Sequence, residues 1–180
     1  MRKSYFYITS LLFCLLFSST SIVYGCRAVP PSPQTLISIA DVVVRATAIK
    51  YTREPQGDIR ALQTPDDVEI EFRVKEILKG KKVPSSLIIN GYLTDTDDYN
   101  DRPVPYDFVR KGGRGGSCFA YEYKQGAEFL LFLTEKDGKY TLQRYALAPT
   151  NEQIRNKDDE WLIWVKNQLR TIKVNKRKQL

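Results

Sequence analysis

Residues 68–78 (VEIEFRVKEIL) open with apolar and charged side chains in strict alternation. Val68, Ile70, Phe72 and Val74 fall on one side, and Glu69, Glu71, Arg73 and Lys75 on the other. A helix would scatter these eight around its circumference, whereas a period of two sorts them into faces. The pattern predicts a half-buried antiparallel strand, one face on a core and the other in water. A chain built around such a strand is committed to a sheet with at least one wet surface.

Four more segments carry strand signals. Ala40–Tyr51 (ADVVVRATAIKY) is a β-branched run followed by alternation through Arg45, Thr47 and Ile49. Ser86–Leu93 (SLIINGYL), Glu128–Thr134 (EFLLFLT) and Lys139–Tyr145 (KYTLQRY) complete a set of five, and Asp137-Gly138 joins the last two as a hairpin. Residues 34–39 predict a short helical turn, residues 52–65 a polar loop, and Lys79-Gly80 a turn. After Pro149, either Asn151 or Asp158 is placed to cap a helix. On that helix Trp161, Val165 and Leu169, with Trp164 and Ile172 beside them, form one broad apolar face suited to core packing. A long connection, residues 94–117, separates the third strand from the fourth. Five strands, that connection and helical covers predict a mainly β fold, a five-stranded Greek-key barrel, closed or partly open, of the oligonucleotide/oligosaccharide-binding (OB) type with a C-terminal helix.

The first 25 residues read as an export signal. Arg2 and Lys3 precede the apolar run Ile8–Phe17, a serine-rich stretch follows, and Val23-Tyr24-Gly25 is a small-residue exit placing the cut before Cys26. The apolar run is well short of the roughly 20 residues a membrane span needs. The expected organisation is residues 1–25 as signal peptide, 26–154 as one β domain, and 155–180 as C-terminal helix and basic tail. The expected location is outside the cytoplasm, secreted or in a cell envelope. A Cys directly after the cut also admits lipid modification at Cys26, although bulky Tyr24 occupies the position where lipid signals carry a small residue. Membrane association is expected only in that case.

Formal charge falls from +7 to +5 when Arg2 and Lys3 leave with the signal. Much of the remainder is C-terminal: Lys166, Arg170, Lys173, Lys176, Arg177 and Lys178. Such a tail suits anionic lipid, polysaccharide or nucleic acid, and its plainer reading is a solvated end. The chain has no histidine, which excludes Ser-His-Asp and Cys-His catalysis and the HExxH zinc site. No enzyme chemistry and no cofactor is expected. Cys14 lies in the signal, leaving Cys26 and Cys118, and two cysteines in an exported chain pair as a rule. Their bridge closes a 92-residue loop, from position 26 to 118, which in the chain-entropy model stabilises by about 4.6 kcal/mol at most.

The acidic stretch Asp95, Asp97, Asp98 and Asp101 resembles a calcium loop only superficially. Tyr99 stands at the fifth position, Asn100 replaces the turn glycine and Tyr106 the final glutamate. The cluster KGGRGG (111–116) lacks the GK[ST] of a phosphate loop and reads as backbone free to approach something closely. On the polar face of the strand Glu69 and Glu71 balance Arg73 and Lys75, so no nucleic-acid partner is expected.

The N-terminal segment of the mature chain is more specific. Residues 26–37 read CRAVPPSPQTLI and 40–46 ADVVVRA. FRVKEILKG, GSCF, GAEFLLFL, DGKYTL and ALAPTNEQI follow in order. Together these resemble the inhibitory domain of the tissue inhibitors of metalloproteinases, over residues 26 to about 154. The resemblance implies the netrin-like form of the OB barrel and a Cys26–Cys118 bridge. It also implies a mechanism in which the α-amine and carbonyl oxygen of Cys26 chelate the zinc of a target protease. A protease zinc keeps one position open for water or substrate, and Cys26 would take it. Arg27 would enter the pocket for the side chain after the scissile bond. Ala28, Val29 and Pro30 would lie along the cleft, flanked by Gly116, Ser117 and Cys118. Departures are plain: Ala28 and Ser38 stand where the family has cysteines, leaving one bridge of three. Arg27 replaces a small uncharged residue and suits a pocket with an acidic floor. The alternative reading is a non-inhibitory extracellular or envelope interaction module, lipid-anchored at Cys26.

Overall fold

The structure is a computed structural model, and it describes residues 32–56, 67–99, 121–142 and 151–178. In chain order these form helix α1 (Pro33–Ile39), strands β1 (Val42–Arg53), β2 (Glu69–Lys79), β3 (Ser86–Asn90), β4 (Tyr92–Thr94), β5 (Glu122–Lys124), β6 (Glu128–Lys136), β7 (Lys139–Leu142) and β8 (Asn151–Ile154), and helix α2 (Glu160–Lys178). The main sheet runs β3-β2-β1-β6-β7, antiparallel throughout, with β8 also on β6. A small parallel pair, β4 with β5, lies off that path.

Burial explains why the strands look different in sequence. On one face of the sheet Val42, Val44, Ala46 and Ala48 of β1 meet Ile70 and Phe72 of β2, Leu87 and Ile89 of β3, and Phe129, Leu131 and Leu133 of β6. On the other face Val43 of β1 and Leu130 and Phe132 of β6 meet both helices. Strands buried on two sides read as continuous apolar runs, VVV and FLLFL. Only one side of β2 is covered along most of its length, and it therefore alternates.

The second core is closed by the helices. α1 contributes Leu36 and Ile37, and α2 contributes Trp161, Leu162, Val165 and Leu169, all buried. The Trp161 ring lies 6.4 Å from Phe132 and stacks on Trp164 at 4.9 Å. The apolar face expected of the C-terminal helix is thus packed in the core. Its cap differs from both residues anticipated. Asp159 caps α2: its Oδ1 accepts from the Trp161 amide at 3.0 Å and its Oδ2 from the Arg155 amide at 3.1 Å. Asn151 lies in β8, a strand the sequence pattern did not announce.

Turn chemistry follows the sequence closely. Asp137 and Gly138 both take positive φ, 53° and 75°, the requirement of a two-residue hairpin whose twist matches its strands. The expected strand 86–93 is interrupted at Gly91, which separates β3 from β4. A Cβ there would collide with the Tyr123 ring and lie 2.9 Å from the Tyr121 carbonyl oxygen. Tyr123 needs that space, because it is fully buried and meets Phe72 and Phe129 edge-on at 4.9 and 5.1 Å.

Four register irregularities along the β1–β2 ladder bend the sheet. The outer strands β3 and β7 consequently come within 8 Å of each other, Cα to Cα. No hydrogen-bonded ladder joins them among the described residues, so the closed ring within the sequence expectation is not formed there. The fold is mainly β, an antiparallel sheet with a C-terminal helix.

Removing the Trp161 side chain empties the largest fully buried volume. Trp161→Ala should lower unfolding stability by about 3–5 kcal/mol, whereas Asn167→Ala on the exposed side of α2 should stay within about 0.5 kcal/mol. Gly91→Ala should destabilise by at least about 1 kcal/mol through overpacking. Urea unfolding midpoints check all three.

Candidate functional site

The residues the sequence assigns to an inhibitory terminus are Cys26, Arg27, Ala28, Val29, Pro30, Gly116, Ser117 and Cys118. All eight lie outside the described residues, as does Asp101 of the acidic stretch. What the structure fixes is the anchoring of the chain on either side of them.

The first anchor is α1. The Ser32 hydroxyl accepts from the Thr35 amide at 3.1 Å, and Pro33 takes the first helical position, where its missing N–H costs nothing. The ammonium of Lys79, from the end of β2, donates to the Ile37 and Ser38 carbonyl oxygens, both at 2.9 Å. A cation on the last carbonyls complements the negative helix end. Ser32 stands six positions after Cys26, so the chain is tied to the body soon after that cysteine. The second anchor is Tyr121, three residues beyond Cys118 (positions 118 and 121). Its carbonyl accepts from the Tyr92 amide at 2.7 Å, and its ring is buried with Val68 and Tyr92. The two anchors sit at opposite ends of the β1–β2 ladder. α1 meets the Val43–Lys79 end, and Tyr121 the end marked by Tyr51 and Val68.

A polar notch of about 550 Å³ opens beside β6 and is lined in part by Arg45, Asp97, Tyr99, Lys124, Glu128 and Arg155. Arg45 interrupts the apolar run of β1 and is held by Glu128 at 3.0 Å and Glu76 at 3.3 Å. Lys166 of α2 reaches the same Glu76 at 2.9 Å. Alternating signs across β2, β1, β6 and α2 fasten the helix to the sheet where the apolar cover ends.

The acidic stretch behaves as a clasp. One Asp97 oxygen takes the Lys124 ammonium at 2.6 Å, and the other accepts from the Gln153 amide at 2.5 Å. The Gln153 carbonyl oxygen accepts from the Asp98 amide at 2.8 Å. Gln153 is 4 % exposed, and these partners satisfy both ends of its side chain. The Arg155 guanidinium lies over the Tyr99 ring at 4.7 Å. Asp97 therefore joins residues 97–99 to β5 and β8. Among the described residues, no group of three or more His, Cys, Asp or Glu is placed to hold a metal ion. Arg45 was visible in sequence as a charge inside VVVRA. Gln153 carried no signal, because its role depends on contacts 55 and 56 positions away in the chain.

No family model matches this chain, and no curated protein matches it significantly.

The clasp has a defined pH dependence. The hydrogen bond from Lys124, reinforced by Gln153, holds Asp97 below its ordinary 3.8. The hydrogen bond to Asp97 holds Lys124 above its ordinary 10.5. The depressed Asp97 contributes stability present above pH 3.8 and lost as pH falls through the lowered folded value. The raised Lys124 contributes stability present below pH 10.5 and lost as pH rises through the raised folded value. Asp97→Asn removes both contributions. The stability gap between wild type and variant should be flat near neutrality and shrink at both extremes, measured as urea midpoints at about pH 3, 7 and 11. A gap unchanged in acid would refute the clasp.

Proposed function

We propose that this chain is an exported protein of the kind represented by the tissue inhibitors of metalloproteinases, acting through a free N-terminal Cys26 on the zinc of a target protease. The observation that carries the reading is the placement of α1, which fixes the chain six residues after Cys26 (positions 26 and 32) in the motif CRAVPPSPQT. The strand order supports the OB barrel that the reading needs. β3 and β7 run parallel, each two antiparallel steps from its neighbourhood on β1, and they flank the gap where such a barrel closes.

Pro30 and Pro31 favour an extended chain between Cys26 and Ser32. A bridged terminus is preorganised, so little ordering entropy is lost when it enters a cleft. In this reading the Cys26 amine and carbonyl displace the zinc-bound water, and Arg27 selects a protease whose adjoining pocket has an acidic floor.

Lipidation and chelation exclude each other. A thioether at Cys26 removes its sulfur from the bridge, and acylation removes the amine lone pair. N-terminal sequencing and intact mass of the exported protein should give a start at Cys26 and a mass two hydrogen atoms below the reduced chain. A lipid mass, or a start upstream, would sink the inhibitor reading and leave the interaction module. With the expected start, titration against zinc proteases should show inhibition that one added N-terminal alanine weakens at least about 100-fold. Equal inhibition by both forms would show that the amine is not the ligand.

A further inference from the structure

The solvent side of α2 is the surface left unexplained by the core and by the terminal chemistry. From Trp161 to Lys178 the helix carries six cations (Lys166, Arg170, Lys173, Lys176, Arg177 and Lys178) and no acid. Lys166 is engaged with Glu76, while Arg170 and Lys173 are exposed and form no ion pair among the described residues. Two β-branched aliphatics are exposed on the same helix, Ile163 at 44 % and Val174 at 51 %. At 3.6 residues per turn, positions 163, 170, 174 and 177 fall within an arc of roughly 60°. Cations and bare aliphatics therefore share one stripe. The apolar face of the helix is last buried at Leu169, with Ile172 packed partly beneath it, and Lys173, Val174 and Asn175 are exposed.

We infer that this stripe is a docking face for an anionic phospholipid surface. The charge complements lipid headgroups, each Lys or Arg near such a surface strengthening binding about fivefold. The aliphatics discriminate among polyanions. Ile163 and Val174 gain nothing from a sulfated polysaccharide or a nucleic-acid backbone, whereas they bury in the headgroup boundary of a bilayer. Among the described residues no helix is long and apolar enough to cross a membrane, so the contact is peripheral. It is independent of what Cys26 does.

The test uses the exported protein as isolated, with intact mass showing the signal removed and no acyl group. Co-sedimentation is compared for vesicles of phosphatidylcholine alone and of phosphatidylglycerol mixed into phosphatidylcholine, and the readout is the change in preference for the anionic vesicles. Arg170→Gln/Lys173→Gln/Arg177→Gln should lower affinity for anionic vesicles on the order of 100-fold. Ile163→Ser/Val174→Ser should lower it roughly tenfold. Added salt should weaken binding by wild type, as screening requires. Circular dichroism should show both variants folded, since Ile163, Arg170, Lys173 and Val174 are exposed. No preference for anionic vesicles, or an unchanged preference in the charge variant, would overturn the inference. Loss in the charge variant without loss in the aliphatic variant would overturn it too, in favour of a plain polyanion site.

Discussion

The ladder between β1 and β6 is the constraint on which the structure depends. Val42 to Thr47 pair residue by residue with Leu133 to Glu128, and both strands are buried on two faces. One face supplies the core inside the curled sheet and the other the core beneath the helices. A slip of one residue would exchange these faces, carrying Arg45 inward and Val44 out. Every other element either extends this pair or covers it.

Polar chemistry is arranged around the limits of that cover. Arg45 interrupts the apolar run of β1, and Glu76, Glu128 and Lys166 convert that interruption into a fastening. Partly exposed ion pairs of this kind contribute little energy each, so their effect is chiefly to fix where the helix sits. The clasp of Asp97, Lys124 and Gln153 does the same for the segment after β4. It passes through Gln153, whose strand also occupies the part of the β6 edge that β7 leaves open. The acidic stretch thus serves cohesion at Asp97.

The same division separates what could be read early from what could not. The β2 alternation, the Asp137-Gly138 turn and the Trp161–Leu169 face depend on spacing within a few residues, and each occurs where the sequence places it. β8 is too short to carry a period, and Gly91 gives no sign that Tyr123 needs its space. The split of strand 86–93 and the open β3–β7 gap are settled by neighbours distant in the chain, whereas the Asp159 cap is local, its partners being the amides of Trp161 and Arg155. Of the notch, Asp97 and Tyr99 entered the sequence reading only through a superficial calcium-loop pattern, and Arg45 only through the alternation of its strand.

The sequence by itself determined the kinds of element, their turns and the side of each that is apolar, because periodicity and local backbone preference act within a single segment. It also carries the motif at Cys26 on which the proposed function rests. Only the tertiary structure decided that α1 and α2 share a core, that Asp97 answers Lys124 and Gln153, and that cations and bare aliphatics of α2 face outward together. Those outcomes depend on which surfaces meet, and hydrophobic burial selects surfaces by their fit in space, whatever their separation along the chain.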